Sequence, residues 1–167
     1  QNPIEMEGTY PLPEAQRDRF MTRITMGYPS RDSELEMLER HGAHNPLDEL
    51  YPVTHGERIT ELIDVVGSVY VADVVKDYLV NIVAATRSHD AVRLGASPRA
   101  SLHLIRTARA KAALAGRDYV IPDDVQAMAI PVLAHRLLPS TRAQLDGISP
   151  VDIVSQILTS TPVPEQA

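Results

Sequence analysis

Arg99 has the residue type and the position of a phosphate ligand. Ser97 and Pro98 predict the N-cap and the first position of a helix, so Arg99 falls in its first turn. A cation there opposes the helix dipole by about 0.3–1 kcal/mol unless an anion is bound. The free N–H groups of a first turn and a guanidinium group together form an anion site. Spacing alone favours a more ordinary role, as a surface arginine or in an ion pair with Asp123 or Asp124.

A second candidate lies near the start of the chain, where Arg17 and Arg19 flank Asp18. One of these guanidinium groups, at the end of a short helix, can reach a phosphate held by a neighbouring molecule. A solvated run of charges is the ordinary alternative. Asn2 is a third candidate, because an amide at the carboxyl end of a strand lies where open α/β sheets bind ligands. It can orient a water or a phosphate oxygen, although Asn-Pro is also a common turn signal.

Other kinds of site have less support in the sequence. An acid/base pair among Glu5, Glu7 and Glu14 would need a fixed separation, which nothing in the sequence provides. The six histidines form no HExxH pair, so no metal ligand is assigned. The loop G-x-x-x-x-G-K-[ST] is absent, since no two of the eight glycines are five positions apart. The chain therefore holds no complete nucleotide site.

Composition places the chain among cytoplasmic globular proteins. Its 167 residues can form one domain or two small ones, and the absence of cysteine excludes disulfides and thiol chemistry. A net charge of −6 argues against non-specific binding of nucleic acid. Charged residues interrupt the most apolar stretch, 62–83, so we expect no membrane span. Because the first residue is Gln1 and no signal segment follows, we expect a truncated chain.

The first 44 residues predict the edge of a larger sheet. A short helix is predicted through Glu14 to Phe20, after a loop rich in proline. Met21 to Tyr28 alternates apolar and polar residues and predicts a strand, whose partners must lie elsewhere. Ser30 or Asp32 then caps a helix that runs through Arg40. We predict a linker over 45–56, where Asn-Pro, Tyr-Pro and His-Gly follow one another.

The remainder, 57–160, predicts a bundle of five helices with a tail over 161–167. Apolar residues at helical spacing predict helices over 57–66 and 72–87. Proline at the first position predicts helices that begin at Pro98, Pro122 and Pro150. Ser149 and Asp152 form a capping box for the last of these, which is predicted to end near Leu158. The fold class is thus mainly α, with the end of an α/β core before the bundle.

Several separated motifs occur in an order that resembles the MoxR family of AAA+ ATPases, from Gln1 nearly to Pro164. They are QNPIEMEGTYPLPEAQRDRF, AATRSH with LGASPRASL, AALAGRDYVIPDDV and LAHRLLP. The resemblance implies that Asn2 is the sensor 1 residue, Arg19 the arginine finger and Arg99 the sensor 2 arginine. Arg17 departs from the family pattern, which more often has an apolar residue there. Arg19, next to Phe20, is favoured as the finger.

The same resemblance implies ATP and Mg²⁺ as cofactors, held mainly by Walker segments that would precede Gln1. It implies a homo-oligomeric ring of six subunits, and a chaperone-like role in which von Willebrand factor A domain proteins are partners. Arg99 would bind nucleotide through the lid, the helical domain over 57–160. We expect the chain as given to be inactive without the Walker segments.

A second class of function stays open. The bundle can instead be a helical interaction module that binds a protein or a nucleic acid without catalysis. A basic face would serve it, made of Arg99, Arg106, Arg109 and Lys111. A Walker A motif in the coding sequence upstream of Gln1 would distinguish the two readings.

Overall fold

The computed structural model describes residues 12–40 and 46–164, which form two compact units. One unit contains residues 12–23 together with 65–164, and the other contains the described residues between 24 and 64. The division predicted from the sequence, into 1–44, 45–56, 57–160 and 161–167, stays a prediction.

The first unit begins with a single helical turn, α1 (Glu14–Arg17), which is shorter than the predicted helix through Phe20. Asp18 ends the turn, and its N–H donates to the Glu14 carbonyl at 3.0 Å. The segment then continues without regular structure. It leaves the carbonyls of residues 18–21 free to accept hydrogen bonds from elsewhere in the unit.

The second unit contains α2 (Arg31–Arg40), a 3₁₀ helix (Pro46–Glu49) and most of α3 (Gly56–Ser68). Ser30 caps α2 as predicted, because its Oγ accepts from the Ser33 N–H at 3.2 Å. The apolar stripe of α3 does not form a core, since none of its residues is buried among the described residues. The predicted stop of α2, Gly42, lies outside the described residues.

The predicted strand over Met21 to Tyr28 is wrong. Residues 21–30 contain no strand, and Gly27 adopts a φ of +69°, which breaks an extended run. An alternating pattern forms a strand only when a second strand supplies hydrogen-bond partners, and no described residue does so here.

A helical bundle forms the body of the first unit. Its main members are α4 (Asp73–Ser88), α5 (Pro98–Leu114), α6 (Pro122–Leu133) and α8 (Pro150–Ser160). The apolar stripe predicted for α4 is confirmed, since five apolar residues of this helix are buried: Val75, Tyr78, Leu79, Ile82 and Val83. α4 and α5 pack together, α6 packs on α5, and α8 packs on both α4 and α6. One continuous core joins these four helices.

Local signals set the ends of these helices, and most predicted starts are confirmed. α5 begins at Pro98 and ends before Gly116, which takes a φ of +73°. The capping box of α8 is present: the Asp152 N–H donates to Ser149 Oγ at 3.2 Å, and Asp152 Oδ2 accepts from the Ser149 N–H at 2.9 Å. A short helix that the sequence did not predict, α7 (Thr141–Leu145), begins after Ser140.

Asp124 fastens the start of α6. Its carboxylate accepts from the Ile121 N–H at 3.0 Å and from both terminal nitrogens of Arg117 at 2.8 and 2.7 Å. Burial alone would raise the pKa of Asp124, but these hydrogen bonds outweigh it and lower the pKa. The ion pair between Arg117 and Asp124 therefore holds the connection between α5 and α6 against the first turn of α6.

A small antiparallel pair brings the end of α6 beside the start of α5. β1 (Val92–Leu94) follows α4, and it pairs with β2 (Leu138–Pro139), with Val92 opposite Pro139. A 3₁₀ helix (Ala134–Arg136) lies directly before β2. The pairing therefore holds Arg136 close to the loop that leads into α5. Among the described residues, every helix is too short or too polar to span a bilayer.

Candidate functional site

The first turn of α5 and the segment after α1 meet at the carboxylate of Asp18. The Ser97 hydroxyl donates to both carboxylate oxygens, at 3.0 Å to Oδ1 and 2.9 Å to Oδ2. Ser97 occupies the predicted N-cap position, but its side chain caps no N–H group of α5. This hydroxyl therefore joins two distant parts of the chain rather than closing its own helix.

Arg99 lies two residues after Ser97, in the first turn of α5, with its side chain 49% exposed. Its Nη1 is 3.4 Å from Asp18 Oδ2, a long ion pair. The alternative partners named from the sequence, Asp123 and Asp124, are wrong, and Asp124 is instead bound to Arg117. Asp18 offsets the unfavourable position of a cation at a helix N-terminus. About half of the Arg99 side chain remains accessible to an anion from outside.

The loop into α5 is fixed by the end of α4. Thr86 Oγ1 accepts from the Ala96 N–H at 3.0 Å, and Arg87 Nε donates to the Ala96 carbonyl at 2.8 Å. Gly95 passes so close to α4 that an added Cβ would lie 2.6 Å from the Thr86 carbonyl oxygen. The AATRSH and LGASPRASL motifs therefore meet in space, and their contact fixes the position of the start of α5, where Arg99 lies.

Arg136 holds the segment after α1 from the other side. Its side chain is 1% exposed, and its Nε donates to Asp18 Oδ1 at 3.2 Å. The guanidinium also donates to four backbone carbonyl oxygens, those of Asp18, Phe20, Met21 and Val132. Burial lowers the pKa of Arg136, and the nearby Asp18 carboxylate opposes that shift. A buried charge of this kind is tolerated because every nitrogen of the guanidinium has a hydrogen-bond acceptor.

Two histidines complete this cluster. His103 on α5 lies with its Nδ1 2.6 Å from Arg136 Nη2, and because arginine only donates, this Nδ1 must be the acceptor. Burial, followed by the positive charge of Arg136, lowers the pKa of His103 and favours the neutral ring. His135 Nε2 lies 3.2 Å from the Phe20 carbonyl oxygen and must be the donor there. Burial likewise lowers the pKa of His135.

The structure brings together some of the residues predicted from the sequence and not others. Arg19 is exposed, and it directly follows the Asp18 at the centre of the cluster. Arg17 is only partly exposed, and its buried Nε has no hydrogen-bond partner within the described residues. Asn2, Glu5 and Glu7 lie outside the described residues. No group of three or more acidic or histidine side chains in the described ranges is arranged to hold a metal ion.

Sequence reasoning missed the two residues that organise this site. Arg136 stands in the LAHRLLP motif, whose other residues apart from His135 are apolar, and an arginine in an apolar stretch is a signal for a buried guanidinium. The signal does not say which groups it binds, because those lie up to 118 positions away in the chain. His103 carries no comparable signal, since a lone histidine on a helix has many ordinary roles.

Two family models match the chain. The AAA lid domain model matches residues 84–157, and the model of the ATPase family associated with various cellular activities (AAA) matches residues 1–22. Arg99 and Arg136 lie in the first range, and Arg19 lies in the second. Both sides of the Asp18 cluster are thus inside matched ranges.

Relatives match along nearly the whole chain. The uncharacterized protein YeaC of Bacillus subtilis is 46% identical over 99% of this chain and 52% of YeaC. The chaperone MoxR1 of Mycobacterium tuberculosis is 41% identical over 99% of this chain and 46% of MoxR1. The chain therefore spans about half the length of these relatives.

A solved structure supports the architecture. The crystal structure of a candidate ATPase from Cytophaga hutchinsonii matches with a TM-score of 0.90 and 34% identity, over 99% of this chain and 53% of that protein. Together with the lid model, this match confirms the predicted fold class, a mainly helical chain with a helical lid bundle.

Proposed function

Since this chain belongs to the MoxR family of AAA+ ATPases, we propose that it forms the lid and one edge of an ATP-hydrolysing site. In this proposal the intact ATPase couples hydrolysis to the remodelling or maturation of client protein complexes. The description of the relative MoxR1 as a chaperone supports that role. The chain has no G-x-x-x-x-G-K-[ST] loop, so we expect no turnover from these 167 residues alone.

The single observation that carries the proposal is the setting of Arg99. Its side chain is half-exposed at the first turn of α5, where the helix dipole favours an anion. Its one ion pair with a described residue, Asp18, is long at 3.4 Å. A phosphate group is a stronger partner for a guanidinium fork than one distant carboxylate oxygen. These residues therefore fit a nucleotide phosphate, and we assign Arg99 as the sensor 2 residue.

Arg19 is assigned as the arginine finger that enters the site of the neighbouring subunit. Its exposure supports this role, whereas the buried Nε of Arg17 argues against Arg17. Bound ATP with Mg²⁺ would supply the phosphate that water attacks. The Walker segments of the intact ATPase would hold most of this nucleotide. Asn2 orients that water. We propose a homo-oligomeric ring of six subunits in the cytoplasm, with von Willebrand factor A domain proteins as partners.

The finger assignment is tested by Arg19→Ala in the intact ATPase. We expect turnover to fall by about 10³- to 10⁵-fold, as for known arginine fingers, while nucleotide affinity stays close to that of the parent. Steady-state phosphate release and binding of a fluorescent nucleotide measure the two effects. Arg142→Ala is the matched control, because Arg142 is 93% exposed on α7 and lies outside the cluster. Parent-like turnover of Arg19→Ala would refute the assignment.

The lid assignment is tested by Arg99→Ala in the same assays. Loss of a phosphate contact should weaken nucleotide binding or slow turnover, because the remaining lid cannot replace the guanidinium. Arg142→Ala again controls for loss of a surface charge. If Arg99→Ala matches the parent in both assays, Arg99 serves only its ion pair with Asp18.

The helical interaction module remains the alternative function. Its proposed basic face is weaker than the sequence suggested, because Arg99 is paired with Asp18 and Arg109 is only partly exposed. A coding sequence with no Walker A motif would favour this module. A Walker A motif upstream of Gln1 would favour the ATPase.

A further inference from the structure

Arg136 is the most completely bound cation among the described residues of the first unit. Only one of its backbone acceptors, the Val132 carbonyl, lies near it in the chain, at the end of α6. The other three are the carbonyls of Asp18, Phe20 and Met21. One side chain from the 3₁₀ helix after α6 thus organises the backbone over 18–21.

This backbone carries Arg19. The residues on either side of Arg19 both place their carbonyls on Arg136, and His135 adds a second donor to the Phe20 carbonyl. Three residues after Phe20, the Arg23 N–H donates to the Pro131 carbonyl at 2.9 Å. The Arg19 side chain points out from a short stretch whose backbone is held from both sides. Its direction therefore depends on the guanidinium of Arg136.

The same cluster reaches Arg99 through Asp18. Asp18 Oδ1 accepts from Arg136 Nε at 3.2 Å, while Oδ2 lies 3.4 Å from Arg99 Nη1. The Ser97 hydroxyl bridges both oxygens. If an anion draws Arg99 away, Asp18 keeps Ser97 and Arg136 as partners, so the segment stays bound to the bundle.

We infer that Arg136 is a positioning residue for Arg19. Asp18 connects Arg136 to Arg99, because one of its carboxylate oxygens contacts each arginine. This inference rests on the proposed function, because it assigns Arg19 a task in the neighbouring subunit. Arg136, a residue of the helical bundle, holds the backbone segment that carries the finger, and Asp18 contacts both Arg136 and Arg99.

The first test is Arg136→Lys in the intact ATPase. Lysine keeps the charge but cannot hold four carbonyls and a carboxylate in a planar fork. We expect kcat to fall by about 10- to 100-fold, as when a catalytic group is misplaced by about 1 Å, with nucleotide affinity within about threefold of the parent. Arg142→Lys is the matched control and should keep parent kcat. A nucleotide affinity that falls as far as kcat would overturn the positioning role.

The second test uses mixed rings. Arg136→Lys subunits have intact sites but misplaced fingers, whereas Asn2→Ala subunits have intact fingers but impaired sites. Mixing these two should restore part of the turnover, because a normal finger meets a normal site wherever an Asn2→Ala subunit offers its finger to an Arg136→Lys subunit. Mixing Arg136→Lys with Arg19→Ala should restore none, since both lack a working finger. Equal behaviour of the two mixtures would contradict the inference.

The third test needs no activity. Amide hydrogen exchange over residues 18–21 should become faster in Arg136→Lys, while exchange in α4 stays unchanged; unchanged exchange over 18–21 would refute the contact. If Arg136→Lys fails to fold, Asp18→Asn replaces it, since Asp18 is partly exposed and asparagine keeps a hydrogen bond to Ser97. Faster exchange over 18–21 combined with parent-like turnover of Arg19→Ala would support the positioning contact and reject the proposed finger.

Discussion

At the scale of single residues, Asp18 shows how one carboxylate can serve three partners from different parts of a chain. Ser97, Arg99 and Arg136 all bind it, and only Arg136 is buried. The buried partner fixes the carboxylate, while the half-exposed Arg99 is free to change partner. This difference in burial, rather than charge alone, separates a positioning arginine from a ligand-binding one.

His103 makes this cluster sensitive to acid. Four charged groups act on it, and they are Arg136, Arg106, Asp18 and Arg99. Because burial and the nearby cations lower its pKa below the ordinary value of 6.5, the unfolded chain takes up a proton before the folded chain does. The contribution of His103 to the free energy of unfolding is therefore constant well above about pH 6.5. As the pH falls below that value, the free energy of unfolding decreases, by at most about 1.4 kcal/mol per pH unit for one histidine.

His103→Gln tests this prediction, because glutamine can still accept from Arg136 but does not titrate. Urea unfolding of the 167-residue chain, followed by circular dichroism between about pH 7 and pH 5.5, should show a shallower pH dependence for the variant than for the parent. His135 titrates with the same sign and remains in both proteins, so the difference between them reports His103. Parallel pH profiles would show that His103 does not contribute.

At the scale of elements, the junction of α4 and α5 depends on a close approach of two backbones. Gly95 is the residue that allows it, because an added Cβ would lie 2.7 Å from Arg87 Cα and 2.6 Å from the Thr86 carbonyl oxygen. Neither is the end of a flexible side chain. The backbone itself would have to move, and with it the hydrogen bonds that hold Ala96.

We expect Gly95→Ala to lower the free energy of unfolding by about 1–3 kcal/mol, the usual cost of overpacking. Gly67→Ala is the matched control, since Gly67 lies in α3 and an added Cβ would meet nothing within 4 Å. That control should be neutral or stabilising, because alanine is favoured over glycine in helices. Urea midpoints of the two variants measure the difference, and equal midpoints would contradict the proposed close approach.

At the scale of the whole molecule, buried side chains are concentrated in one unit. The helices α4, α5, α6 and α8 all contribute to the core, whereas α1, α2 and α3 contain no buried residue. The segment that carries Arg19 groups with the core helices rather than with α2. The finger segment and the core helices therefore belong to one compact unit, which is the arrangement that the positioning role of Arg136 requires.

Amide hydrogen exchange of the 167-residue chain tests this distribution. The helices α3 and α6 have similar lengths, 13 and 12 residues, so they form a matched pair. We expect α6 to exchange far more slowly than α3, because opening α6 exposes the core and opening α3 exposes little new apolar surface. Similar protection of the two helices would show that α3 is covered in solution.

Much of the bundle could be predicted from the sequence, because its signals are local. Pro98, Pro122 and Pro150 each begin a helix where the sequence places it, and Ser149 with Asp152 forms the expected box. Alternation over 21–28 failed as a strand signal because a strand needs a partner, which the alternation does not provide. The predicted roles of Arg19 and Arg99 came from family motifs rather than from geometry.

The sequence by itself determined the helical bundle, the first-turn position of Arg99 and the absence of a phosphate-cradling loop. Only the tertiary structure decided that Arg99 pairs with Asp18, 81 positions away, and that Arg136 holds the segment of Arg19. The physical reason is one of range. Capping and periodicity act within about four residues of the chain, whereas an ion pair depends on distances that only the packing of whole elements sets.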